Sequence, residues 1–406
     1  MTPRALLRAN AFMPYPEFPV ANAHSGVLHG YRLAVKDIFD VAGYPTGAGS
    51  AVVLAASGVK DASAPIVEAL LAAGAEFVGK SYTDEIAYSL LGQNSHFGSP
   101  INPRWPDRIV GGSSCGSAVA VAAGLADIGL GTDTSGSIRV PATANGLIGW
   151  RPTHGLLSLE GCRPLAPSFD CAGFLTRSVE AMDAVMGALG VEDGADLEPT
   201  YVVPSDLLEI CERGLAEEFA KIVDSLGGRN RVVALETGLD LVRARDAFNA
   251  ILRREAYENN AELLHDYPAS LDPAIRERLQ LGEIVTPRRL SLARDFAAEL
   301  KERIGTLLWD NAFLLMPTIP GEVPKKHAQQ SELDEFRNQS IAYCCLAGLS
   351  GFPQLSVPIT APDSVAQSIS IVGVGGADRR TLAAAKLMST HRNQIDFKSA
   401  TKRERH

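Results

Sequence analysis

Lys36 ends the apolar run Ala34-Val35-Lys36-Asp37. Two Gly/Ser clusters follow it, Gly111-Gly112-Ser113-Ser114-Cys115-Gly116-Ser117 and Gly131-Thr132-Asp133-Thr134-Ser135-Gly136-Ser137. A serine hydroxyl is a weak nucleophile until a neighbouring base takes its proton. Neither cluster contains a histidine, but a lysine serves as base when burial or another cation keeps it neutral. These residue types point to a lysine-driven serine hydrolase. Amide or ester hydrolysis builds negative charge on a carbonyl oxygen; backbone N–H groups stabilise that charge, and glycine lets the backbone come close. Thr134-Ser135-Gly136-Ser137 offers several such N–H groups in a row. Pro141 suits the first turn of a helix. Ser137 is therefore expected at a helix N-terminus, where the dipole also favours an oxyanion. Asp133 and Arg139 read as a structural ion pair holding this turn rather than as reacting groups, and His154 as a hydrogen-bonded turn residue.

Other patterns compete for these residues. Gly74-Ala75-Glu76-Phe77-Val78-Gly79-Lys80-Ser81 fits the phosphate-loop expression, but such a loop follows a strand. Here Ala75 to Val78 itself reads as a strand, preceded by a helix. Gly112-Ser113-Ser114-Cys115-Gly116 fits a nucleophile elbow with Ser114 as nucleophile; that reading needs a strand before Gly112, a downstream acid and a histidine such as His154, His265 or His327. Ser57-Gly58-Val59-Lys60 fits SxxK without the accompanying SDN or KTG.

The elements that must position the serines alternate between strand and helix. Tyr31 to Val35 reads as a strand. Pro65 to Ala73 reads as a helix with Ile66, Val67, Leu70 and Leu71 on one face and Gly74 as its stop. Ser114 to Ala123 reads as a small-residue helix able to pack closely, followed by a strand over Ala126 to Leu130. From about Ser178 to Ala312 the chain becomes charged and helix-rich, as in Leu241 to Leu264, which suggests a cap or insertion. Phe313 to Met316 resumes the strand pattern, Ser368 to Val372 alternates as an antiparallel strand, and Leu382 to Met388 reads as a last helix. The basic tail Lys402 to His406 is expected to fray.

Composition narrows the function. With 406 residues, 46% hydrophobic and 21% charged, the chain can bury a large core and is not broadly disordered. A net charge of −9 argues against nucleic-acid binding. The six cysteines (Cys115, Cys162, Cys171, Cys211, Cys344 and Cys345) show no CxxC or Cys/His spacing, so neither a metal nor another cofactor is expected. No apolar run has signal-peptide or membrane-spanning length, which makes the cytoplasm the expected location.

Taken together, the segments Ala34–Asp37, Gly79–Ala87, Gly111–Ala123, Gly129–Ala142, Gly149–Gly155 and Pro164–Asp170 occur in an order and spacing that resemble the amidase signature family of serine amidohydrolases. Gly351-Phe352-Pro353-Gln354-Leu355-Ser356-Val357-Pro358 resembles that family's final core strand. The resemblance implies an α/β fold, with a central mixed, twisted β-sheet covered by helices on both faces. It implies one amidase domain over 1–400, with a signature core at about 30–180, a helix-rich insertion at about 180–312 and C-terminal core elements at about 313–395. It also implies a Ser–cis-Ser–Lys triad. Ser137 matches the nucleophile, Ser113 the bridging cis-serine and Lys36 the base; Thr134, Ser135, Gly136 and Ser137 match the oxyanion turn, and Asp133, Arg139 and Ser114 its support. The chain departs from the family pattern at Cys115, Ser135 and Trp150-Arg151, which leaves the pocket's shape open.

Asp84 to Ser89 and Asn94 to Gly98 are most similar to compact indole-3-acetamide-hydrolase-type amidases. The implied substrate is a small primary amide, cleaved to acid and ammonia through a serine acyl-enzyme without metal. A neutral acyl group is expected, because Arg139 is the one cation apparent near Ser137; arylacetamides should outrank malonamate-like acids. The resemblance leaves open a homodimer, an amidotransferase A-type subunit working with a partner protein, and a non-catalytic binding homologue. It implies no nucleic-acid or membrane partner.

Overall fold

The computed structural model describes residues 10–192, 198–227, 231–309, 311–359 and 366–388; the basic tail lies outside them. Short runs of β-branched and other apolar residues form ten strands: β1 (Arg32–Lys36), β2 (Glu76–Ser81), β3 (Ile128–Asp133), β4 (Ile148–Arg151), β5 (Cys171–Thr176), β6 (Thr200–Pro204), β7 (Arg231–Leu235), β8 (Ala312–Pro317), β9 (Gln354–Pro358) and β10 (Ser368–Val372). They pair into one mixed sheet in the order β2-β1-β3-β5-β4-β9-β10-β8-β6-β7. β1 runs parallel to β2 and β3, and β6 parallel to β7 and β8; the central pairs are antiparallel.

Side chains alternate across a strand, so a strand buried on both faces feeds two cores. In β8, Leu314 and Met316 join one hydrophobic cluster with Phe248, Leu252, Ile304 and Leu346, while Phe313 and Leu315 join the opposite cluster with Met182, Val185 and Phe219. The fold is thus the α/β architecture expected, with helices packed against both faces of the sheet. Most elements lie where the sequence places them. Pro65–Ala72 is a helix burying Ile66, Val67, Leu70 and Leu71, Cys115–Ala122 is a helix, β10 pairs antiparallel with β8 and β9, and residues 378–388 are helical.

Two expectations need correction. β3 starts later than Ala126, because the N–H groups of Leu125 and Ala126 close the preceding helix on the Ala120 carbonyl. The shift carries Thr132 and Asp133 into the strand. Nor is the segment at about 180–312 purely a helical cap: Thr200–Pro204 and Arg231–Leu235 extend the sheet at its β8 edge. Their five-residue strands are submerged in the charged composition around them. The cap proper is the three helices Leu241–Asp266, Pro273–Glu283 and Pro287–Leu307. The first is tied to the core where Glu255 accepts the N–H and hydroxyl of Ser168 at 2.9 and 2.5 Å, and where Phe248 stacks on Phe169 at 4.3 Å. Among the described residues no helix is long and apolar enough to cross a membrane.

Candidate active site

The apolar alternation of β1 ends at Lys36, which the sheet buries completely. Its Nζ lies 2.8 Å from Ser113 Oγ and 2.9 Å from Thr132 Oγ1. Burial pushes the Lys36 ammonium down to about 8, against the pull of Asp84 and more weakly of Cys162, Cys115 and Asp133. Ser113 is itself buried, and the Gly112–Ser113 peptide bond is cis. The helix Cys115–Ala122 then packs close under β3 because both are built of small residues. A Cβ at Gly131 would sit 2.4 Å from Ser114 Oγ, so only glycine fits there.

Ser137 lies in the turn after β3, buried, and its carbonyl accepts the N–H of Ser114 at 3.2 Å, which joins the two serine clusters. Asp133 organises this turn. Its carboxylate accepts the N–H groups of Gly136, Ile138 and Arg139 at 3.0, 3.1 and 3.3 Å. Arg139 binds it through Nε at 2.9 Å and Nη2 at 2.7 Å, and Arg151 through Nη1 at 3.1 Å. Burial alone would raise this carboxyl; the two guanidiniums outweigh it and hold Asp133 well below the usual range. Arg139 also donates to the Cys344 carbonyl and Gln354 Oε1. All its contacts are with the scaffold, as the sequence reading expects.

These contacts change the reading of the oxyanion turn. The Gly136 N–H and the first N–H groups of the helix Arg139–Asn145 are taken by Asp133, so neither Gly136 nor that helix N-terminus is free for an incoming anion. Among the described residues, no acceptor pairs with the N–H groups of Thr134, Ser135 and Ser137. Thr134 is held by its hydroxyl, which donates to Asp170 Oδ1 at 2.6 Å; Asp170 in turn accepts the N–H groups of Leu165 and Ala166.

The competing motifs do not assemble. Gly79 and Lys80 lie inside β2, and Lys80 is buried against Asp37 at 3.1 Å rather than set in a phosphate loop. No strand precedes Gly112, and the Ser114 hydroxyl is committed to the Thr132 backbone at 3.2 and 3.3 Å. Among the described residues no group of three or more His, Cys, Asp or Glu side chains could hold a metal ion, and all six cysteines are free.

Four participants escaped the sequence reading. Thr132 shares the lysine with Ser113, and Arg151 shares Asp133 with Arg139. Asp84 is wholly buried, with Oδ2 accepting the Gly92 N–H at 3.2 Å and Oδ1 unpartnered. Burial pushes its carboxyl up to about 6. It presses on the cis peptide, since a Cβ at Gly112 would stand 2.3 Å from its Oδ2. Arg163 is the fourth. A cavity of about 170 Å³, walled by Ile38, Ala87, Leu159, Leu165 and Pro167, reaches Thr132, Thr134 and the Asp170 carboxyl that Thr134 holds. Cys162, Arg163 and Pro164 line both this chamber and an outer one of about 490 Å³ against the cap. Arg139 is therefore not the one cation near the site. None of the four stands out by type or spacing; each acquires its role from distant segments.

A mixed sheet that buries a lysine against a serine, with a second buried serine in an anchored turn beside a cavity that reaches Thr132 and Thr134, defines a hydrolase site built on lysine and serine. The family model described as Amidase matches residues 1–220. The chain is similar to Amidase 1 of Oryza sativa subsp. japonica, 37% identical over 91% of this chain and 92% of that one. It is also similar to an indoleacetamide hydrolase of Pseudomonas syringae pv. syringae, 31% identical over 82% and 78% of the two chains. A crystal structure of an amidase superposes with a TM-score of 0.82 at 30% identity, covering 94% of this chain and 92% of that chain. The chain belongs to the Amidase family, and it is a hydrolase acting on amides.

Proposed function

We propose that this chain cleaves the C–N bond of a small primary amide through an acyl-enzyme on Ser137. The observation that carries the reading is the contact between Lys36 Nζ and Ser113 Oγ at 2.8 Å, made by a lysine whose burial favours its neutral form. In the first half-reaction Ser137 Oγ bonds to the amide carbon, and its proton passes through the Ser113 hydroxyl to Lys36. Negative charge collects on the carbonyl oxygen, where the uncommitted N–H groups of the Thr134-to-Ser137 turn stabilise it. The C–N bond then breaks, the amine takes the proton back through Ser113, and ammonia leaves. In the second half-reaction water gives its proton to the same relay and its oxygen to the acyl carbon. The Ser137–acyl bond breaks, the relay returns its proton to Ser137 Oγ, and the carboxylic acid is released.

Ile38, Ala87, Leu159, Leu165 and Pro167 give the inner chamber apolar walls that fit an acyl group with an apolar body, while Thr132, Thr134 and Asp170 line it at the turn. The similarity to an indoleacetamide hydrolase supports an arylacetamide as the first substrate to try. Ammonia release from a panel of primary amides, anilides, hydrazides and ureas tests the reading. Turnover confined to primary amides and lost in Ser137→Ala supports it; turnover that survives Ser137→Ala removes it.

A further inference from the structure

Arg163 lines both chambers, and its own segment fixes it there. Its backbone N–H donates to the Ile38 carbonyl at 2.9 Å, two residues beyond Lys36. Its Nη2 donates to Asn260 Oδ1 at 3.0 Å. Asn260 is buried in the cap helix at the one residue whose backbone leaves helical geometry (φ −131°, ψ 17°), and its amide donates back to the Ala256 carbonyl. The side chain is thus held from both the core and the cap.

The guanidinium is not satisfied by these contacts. Its Nε is buried and has no acceptor, and among the described residues no carboxylate lies within ion-pair distance of it. Burial lowers its pKa, and the more distant Glu262 offsets this only in part. A buried donor without a partner costs about 1–3 kcal/mol, more when charged, and this guanidinium brings an uncompensated positive charge to the wall of both chambers. Among the described residues Nη1 makes no hydrogen bond and, unlike Nε, it is not sealed from the chambers, so it is the nitrogen that meets a ligand carboxylate in a charge-assisted hydrogen bond. Asp40 and Glu262 line the outer chamber, with Asp40 already facing Lys60 at 3.7 Å. A second negative charge on the ligand would meet these carboxylates, so the site favours a monoanion over a phosphate dianion.

We propose that Arg163 binds a carboxylate at the far end of the acyl group, which makes the substrate class primary amides with an apolar body and a terminal acid. The proposal rests on the reading that the inner chamber takes the acyl group for attack by Ser137. It revises the expectation of a wholly neutral substrate, which assumed Arg139 to be the nearby cation. Arg163 touches the ligand's distal end and not the reacting atoms, so it acts on binding and positioning.

The test compares matched pairs: phenylacetamide with (4-carboxyphenyl)acetamide, and hexanamide with the monoamide of adipic acid. Each is titrated calorimetrically onto the enzyme and assayed for ammonia release. A charge-assisted hydrogen bond is worth about ten- to hundredfold, so the acid member should bind and turn over more efficiently by that factor, chiefly through KM. Arg163→Gln should collapse the ratio within each pair to near one, and Arg163→Lys should restore part of it. A wild-type preference for the neutral members, a ratio unchanged in Arg163→Gln, or absence of binding by either acid overturns the proposal. Selective binding of the acids without turnover of any amide would instead uphold Arg163 and count against the Ser137 reading.

Discussion

The neutral form of Lys36 is the species able to accept a proton, so kcat/KM should follow its titration. Burial brings its pKa from 10.5 to about 8. At pH 7 roughly one-tenth of the lysine is then neutral, about 300 times the fraction an ordinary lysine would offer. The profile should rise about tenfold per pH unit and level off above pH 8. Asp84 is the strongest charge opposing this shift; Cys162, Cys115 and Asp133 oppose it more weakly, in that order. Asp84→Asn keeps the side chain's shape and removes its charge. An ammonium loses stabilisation when a nearby anion is removed, so the midpoint should move below pH 8, and the variant should reach a larger share of its plateau at pH 7. Ammonia release measured across pH 6–10, with thermal unfolding as the check on folding, reads this directly. A wild-type midpoint at pH 10 or above, or a midpoint unmoved or raised in Asp84→Asn, would refute the reasoning.

Further outcomes follow from the same geometry. Lys36→Ala and Ser113→Ala should each cost several orders of magnitude in kcat, and the double variant little more, because groups acting as one relay are not additive; additive losses in steady-state kinetics would count against a shared relay. Lys36 also bears on stability. The native lysine gives up its proton at lower pH than the unfolded one, so the unfolded state binds more protons between about pH 8 and 10.5, and stability rises with pH there. Relative to Lys36→Met, denaturant unfolding of the wild type should gain up to about 3 kcal/mol across that window. Arg139→Ala leaves the buried Asp133 with Arg151 alone, and breaking such a pair costs about 3–5 kcal/mol; a loss below about 1 kcal/mol in the same assay would show that the turn does not depend on it.

The local part of this molecule was legible in the sequence. The apolar run into Lys36, the small-residue helix after Ser114 and the alternation over Ser368 to Val372 each carry their own period, and each element appears in place. What the sequence concealed is made by distance. The five residues of β6 and the five of β7 are outvoted by charged helices on either side. Asp84, Thr132, Arg151 and Arg163 belong to common types with no local spacing, and they gain a role only when the sheet brings β1, β3 and β4 together and the cap closes over residues 162–164. The oxyanion turn shows the same limit. By its type and position Gly136 reads as a donor to substrate, yet Asp133, three residues earlier, already holds that N–H.

The central claim is that Ser137 carries the acyl group. A fluorophosphonate probe that reacts with activated serines, followed by peptide mass spectrometry, tests it most directly. The account predicts a single adduct on the peptide containing Ser137, lost in Ser137→Ala and strongly slowed in Lys36→Ala. An adduct on Ser113 or Ser114, or labelling that persists in Ser137→Ala, would contradict it.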